Sequence, residues 1–224
     1  MPPSIASVIA PADEGLVSAV ADYVQKYMAN YDGSHDFHHI ERVLGLAKHI
    51  HALSPNEPER DPLVVELSAL LHDVGDKKYL KPGEDASTLV QELLISLGAT
   101  SQLAQKVQTI CLGVSYSSEI KDPARVQDLI KSHPELAVVQ DADRLDAIGS
   151  IGIGRVFTFT GARTQRSMAD SIEHFHDKLL KLQSMMKTDV GMKLANERTR
   201  RMQEFLQWWD EEAAFSSGAQ PIAR

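Results

Sequence analysis

Three short segments concentrate His, Asp and basic side chains in this 224-residue chain. They are Ser34–Val43 (SHDFHHIERV), Leu70–Tyr79 (LLHDVGDKKY) and Val138–Gly149 (VVQDADRLDAIG). Nine histidines are present, and most fall in local groups, with His35, His38 and His39 the densest. In each segment the polar residues sit inside a run whose apolar residues repeat at three and four positions, the period of a helix with one buried face. A charge on such a face is costly unless it is paired or bound to a metal. His72-Asp73, at the end of the apolar run Leu63, Leu67, Leu70, Leu71, Val74, is the sharpest instance. Taken alone, a histidine there can simply answer the dipole of a helix C-terminus. Taken with the other two segments, it predicts a shared site, because side chains from three helices can meet only where the helices pack. A mixed nitrogen and oxygen donor set suits one divalent ion: Mn, Fe, Co, Ni or Zn, with Mg admissible.

The elements that must position these groups are helices. Ile40, Val43, Leu44, Ala47 and Ile50 form one stripe, and Asp61-Pro62 reads as an N-cap followed by proline at the first helical position. A third stripe runs Leu89/Val90, Leu93/Leu94 and Leu97 up to Gly98, a C-cap glycine. Leu103, Val107, Ile110, Cys111 and Val114 give a fourth, which makes Cys111 a small core residue. Pro134 opens another helix through Leu136, Val139, Ala142 and Leu145. Two long amphipathic segments, about 169–186 and 188–212, close the chain. Val156–Thr160 (VFTFT) alternates like a strand but has no partner strand, so helix or turn is expected. Of Trp208 and Trp209, one is expected buried and one half-exposed, an exposed indole being a candidate homodimer contact.

Composition narrows the classes. With 43% hydrophobic and 24% charged residues the chain is an ordinary globular one, long enough for one large domain. No apolar run approaches the roughly 18 residues of a membrane span. The first residues, MPPSIASVIAPADEG, lack the basic start of a secretory signal, so a cytoplasmic protein without a membrane partner is expected. The single cysteine excludes an internal disulfide and a cysteine-based metal site. A net charge of −8 argues against a nucleic-acid polymer as partner but not against a small anion held by a metal or a local basic cluster.

The ordered triple of motifs resembles the HD superfamily of metal-dependent phosphohydrolases, in particular its small stand-alone members. The matching residues are His39 with Arg42-Val43, the pair His72-Asp73, and Asp143 within Ala142–Leu145. The resemblance runs from about residue 16 to residue 213. It implies an all-α, single-domain HD-type helical bundle between an N-terminal extension (1–15) and a disordered C-terminal tail (214–224). It also implies one divalent metal ion on His39, His72, Asp73 and Asp143, leaving about two positions of an octahedral ion for water and a phosphate oxygen. An acidic residue at the place of Asp76 orients or deprotonates the attacking water in several relatives; some have glutamate, one methylene longer. Lys77, Lys78 and Arg144 suit a polyphosphate, Lys178 and Arg198 are candidates to reach it, and His35 is a candidate substrate contact. Asp141 and Asp146 are expected to orient ligands rather than bind metal.

The function implied is hydrolysis of a small phosphorylated substrate, a nucleotide and first a nucleoside triphosphate. Two alternatives come from other classes. HD-fold di-iron oxygenases carry extra histidines between the HD pair and the distal aspartate, where this chain has only His133. A metal-binding regulatory module without turnover would also keep the metal ligands.

Overall fold

The computed structural model describes residues 11–29, 31–54, 58–76, 80–163 and 167–217. Among them the chain is helical, with no strand. The order is α1 (Pro11–Tyr27), α2 (Phe37–Leu53), α3 (Pro62–Leu71), α4 (Leu89–Ser96), α5 (Ser101–Val114), α6 (Tyr116–Lys121), α7 (Pro123–Ser132), α8 (Glu135–Asp146), α9 (Gly149–Arg163), α10 (Met168–Asp177) and α11 (Asp189–Ala213). Two 3-10 segments, Leu179–Met185 and Ala214–Ser217, complete it. No described helix is long and apolar enough to cross a membrane.

Helix starts follow local chemistry. Asp36 opens α2 by accepting from the His39 N–H at 3.2 Å, and Asp61 opens α3 by accepting from the Leu63 N–H at 2.9 Å, with Pro62 behind it. These bonds satisfy amide groups that have no partner inside the helix. Past the end of α4, Gly98 takes φ +93°, a left-handed exit that favours glycine.

Two apolar cores lie on either side of a wall made by α2, α3 and α8. One core takes Ile40 from α2, Leu67, Leu70 and Leu71 from α3, and Leu136 and Val139 from α8, and packs them on α1, α4 and α5. The other takes Val43, Ala47 and Ile50 from α2, Val65 and Ala69 from α3, and Val138, Ala142 and Leu145 from α8, facing α9, α10 and α11. Nine of the ten residues of α3 are therefore buried. Each fully buried leucine or isoleucine contributes about 1.5–3 kcal/mol, so the wall is the best-supported part of the fold. Three of its buried polar residues have partners: Glu66 pairs with Lys48 at 2.8 Å, Glu135 with Lys106 at 2.7 Å, and Gln140 donates to the Gly113 carbonyl at 2.8 Å.

Several sequence expectations are refined. VFTFT lies inside α9, and Cys111 is buried against α3, its thiol pushed up by burial and then by Asp73. The stretch expected as one helix over 169–186 breaks at Lys178 into α10 and a 3-10 segment. Helices α6 and α7 fill 116–132, where the apolar pattern is too thin to announce them and Val126 is the one buried residue they contribute. Neither tryptophan is buried: Trp208 is 57% exposed, while Trp209 is half-buried, stacked on Phe157 with centroids 5.9 Å apart. Helix α1 begins at Pro11, upstream of residue 16, and of the expected tail 214–217 form a 3-10 turn while 218–224 lie outside the described residues.

Candidate metal centre

The site forms where the three wall helices come together. His39 sits in the first turn of α2, His72 and Asp73 follow the last residue of α3, and Asp143 lies near the end of α8. One ligand atom each from His39, His72 and Asp143 falls within 4.8 Å of the others. Asp73 joins them, its Oδ1 3.5 Å from His72 Nε2 and its Oδ2 3.5 Å from His39 Nε2. The Asp143 carboxylate is 3.6 Å from His39 Nε2 and 3.7 Å from His72 Nε2. The four residues expected to hold a metal are thus brought together.

Hydrogen bonds on the far side of each ring decide which nitrogen faces inward bare. His39 Nδ1 is 2.7 Å from Asp146 Oδ2, and His72 Nδ1 is 2.8 Å from the Ala69 carbonyl, one of the orphan acceptors at the C-terminus of α3. Both partners only accept, so each Nδ1 carries the ring proton. Both Nε2 lone pairs then point at one another across 3.3 Å. Two acceptors at that distance repel unless a cation lies between them. Asp73 Oδ2 is also buried with no hydrogen-bond partner. Burial alone would raise the Asp73 carboxyl, but His72 and His39 hold it far below the usual carboxylate range, so it is an anion. Without a cation there a proton takes its place. Burial pulls the His39 ring down, but Asp146 and Asp73 more than reverse it, so the ring holds its proton above the ordinary value. A metal displaces that proton on binding. Two imidazole nitrogens and two carboxylates converging on one point fit a divalent cation.

Asp146 is the anchor behind this arrangement. Besides His39 it accepts from Arg42 in bidentate fashion, Nε to Oδ1 at 2.7 Å and Nη2 to Oδ2 at 3.0 Å, and from Arg155 Nη1 at 3.2 Å. Burial would raise it, yet the His39 and Arg42 hydrogen bonds keep it well below its ordinary value. Asp141 turns the other way. It accepts from the Lys187 and Thr188 N–H groups and from the Thr188 hydroxyl at 2.8 Å, which fixes the start of α11.

Asp76 follows Gly75, whose φ of +83° turns the chain after the HD pair, and its N–H donates to the Asp73 carbonyl at 3.2 Å. His35 is at the site: its ring lies edge-on to His39 with centroids 6.1 Å apart and touches Phe159 at 5.9 Å. Lys77 and Lys78 lie outside the described residues. Arg144 does not face the site. It is 2% exposed, pairs with Glu119 and donates to the Met185 carbonyl at 3.0 Å, because one residue beyond Asp143 the helix has turned about 100°. Lys178 lies over the Tyr116 ring, 4.9 Å from its centroid, on that same far side. Arg198 donates to the Leu145 carbonyl, capping α8 from behind, and burial lowers its guanidinium. Arg155 escaped the sequence reading. Its one signal is a lone cation in the small and apolar run GSIGIGRVF beside the third motif.

The comparisons agree with this geometry. The HD domain model matches residues 36–148, the stretch that carries all four candidate ligands. YpgQ of Bacillus subtilis, described as an uncharacterized protein, is 34% identical over 194 residues, covering 84% of this chain and 88% of YpgQ. The crystal structure of YpgQ in complex with ADP superposes with a TM-score of 0.71 at 31% identity, covering 89% of this chain and 96% of that one. A solved HD-superfamily hydrolase from Bacillus thuringiensis gives 0.67 at 27% identity, over 90% and 98%. With half its length under the family model and a relative 34% identical over 84% of its length, the chain belongs to the HD-domain family.

Proposed function

We propose that this protein is a metal-dependent phosphohydrolase acting on a small phosphorylated substrate, a nucleotide and first a nucleoside triphosphate. The observation that carries the reading is the pair of histidine Nε2 atoms 3.3 Å apart, flanked by Asp73 and Asp143. His39, His72, Asp73 and Asp143 would hold one divalent ion, of the series Mn, Fe, Co, Ni or Zn or else Mg. Bound there, such an ion supplies a Lewis acid for a phosphorus-bound oxygen and lowers the pKa of water. Asp76, one turn past the HD pair, takes the proton of the attacking water. Asp146 keeps His39 in the tautomer that presents Nε2. His35, beside His39, meets the substrate rather than the metal. The nucleotide assignment is supported by the ADP bound in the YpgQ crystal structure, and the hydrolase assignment by the Bacillus thuringiensis neighbour.

The test is turnover by chelated protein reloaded with single metals and offered nucleoside mono-, di- and triphosphates, with phosphate and pyrophosphate detected separately. Metal-dependent release of one of the two products is expected, with metal and activity both lost in a His72→Ala/Asp73→Ala double variant. Tight metal binding with no turnover on any of these compounds would favour the regulatory module instead.

A further inference from the structure

Arg155 joins two parts of the site that otherwise approach it from different segments. One limb of its guanidinium, Nη1, donates to Asp146 Oδ2 at 3.2 Å. The other, Nε, donates to the Ser34 backbone carbonyl at 2.7 Å. Asp146 holds His39, which presents its bare nitrogen to the other candidate ligands. Ser34, 1% exposed, precedes His35 and has its hydroxyl 2.7 Å from His35 Nδ1. Helix α9 touches the same turn twice more. Phe159, one helical turn after Arg155, meets the His35 ring, and the Thr158 methyl stands 3.5 Å from where a Cβ on Gly33 would lie. The planar fork of arginine is what allows two acceptors on separate segments to be reached at once.

We propose that Arg155 is a positioning residue that locks the His35 turn to the Asp146–His39 pair, so that the substrate-side and metal-side histidines are held as one body. This rests on the metal-site reading above. The ties differ in kind, one to a carboxylate and one to a neutral carbonyl, and charge-assisted bonds are the stronger. A lysine at 155 has a single head group; it is drawn to Asp146 and leaves Ser34 untethered.

The experiment compares wild type, Arg155→Met and Arg155→Lys by calorimetric titration of the chelated protein with Mn²⁺, and by ring ¹⁵N spectra of the histidines before metal is added. Arg155→Met is expected to lose about tenfold to hundredfold in Mn²⁺ affinity, the usual effect of removing a group that orients a ligand, and to shift the His35 and His39 ring signals. Arg155→Lys is expected to recover affinity to within about threefold of wild type while His35 stays shifted. Affinity in Arg155→Met within twofold of wild type, or an unmoved His35 signal, overturns the proposal. Should the methionine variant fail to fold, the lysine variant decides: a shifted His35 with Mn²⁺ affinity kept supports the lock, and any other pattern refutes it. A wild-type protein that takes up no Mn²⁺ removes the metal reading itself and this inference with it, a result distinct from a variant that binds as well as wild type.

Discussion

Asp73 is poorly placed for stability and well placed for a cation, and the two roles can be pulled apart. Its buried Oδ2 has no hydrogen-bond partner. Leaving a buried acceptor unmet costs about 1–3 kcal/mol. Asparagine has the same shape, and its amide can donate to a neighbouring Nε2. Asp73→Asn is therefore expected to abolish metal uptake, as read by calorimetry with and without chelator, while the metal-free protein keeps a cooperative melting transition; loss of that transition would make Asp73 a fold element. Asp76 is separable by rate. Asp76→Asn should keep the metal and lose roughly 10²–10⁴ in kcat, the range for general acid–base catalysis, with Asp76→Glu milder. Activity within a fewfold of wild type would remove it from the mechanism. The candidate cluster was legible because His39, His72, Asp73 and Asp143 each stand in a local motif. Arg155 was not, because nothing local announces its contact with Ser34 across 121 residues, and Asp146, nine residues away, lies on a separate helix.

At the scale of elements, Arg144 and Arg198, which sequence reasoning sent to the substrate, join helices instead. Glu119 of α6 accepts from Arg144 of α8 and from Lys187 at 2.9 Å, just before α11. Burial raises the Glu119 carboxyl, but the hydrogen bond from Lys187 and the charge of Arg144 more than reverse it, leaving it below its ordinary 4.5. A depressed carboxylate stabilises the fold above its unfolded value and loses that contribution as pH falls through the folded one. Glu119→Gln should therefore be less stable than wild type at pH 7, with the gap narrowing below about pH 4.5, followed as melting temperature against pH. A gap independent of pH would mean that packing, not charge, holds α6. The basic residues near the third motif were readable as cations but not as pairs, since helix rotation and the arrival of α6 are tertiary facts. The same holds for α10, which ends at Asp177 with no glycine or proline to mark it. The strongly periodic elements α2, α3 and α5 were legible as helices, and the start of α3 at Asp61-Pro62 to the residue.

For the whole molecule, the wall explains why the metal residues can be both buried and precise. Helices α2, α3 and α8 are gripped by a core on each face, and the ligands occupy the ends of those helices. A ligand that binds only the folded state adds about 2.7 kcal/mol at a hundredfold excess over Kd. For a chain of this size that corresponds to a rise in melting temperature of about 5–10 °C on loading, reversed by chelation. Scanning fluorimetry with each candidate metal would rank them. A flat response across the series would contradict the site.

The distance along the chain between the parts of the site has a kinetic corollary. His39 and Asp146 touch although 107 residues separate them. Contacts of such high sequence separation carry a large loop-closure cost, so they are slow to form. The centre is then completed after the rate-limiting step, on the native side of the barrier. Interactions absent from the transition state slow unfolding and leave the folding rate alone. In stopped-flow dilution, added metal should lower the unfolding rate by about the factor it adds to the equilibrium constant, with refolding unchanged. The ion would act as a latch closed on a finished structure rather than as a seed around which the chain assembles.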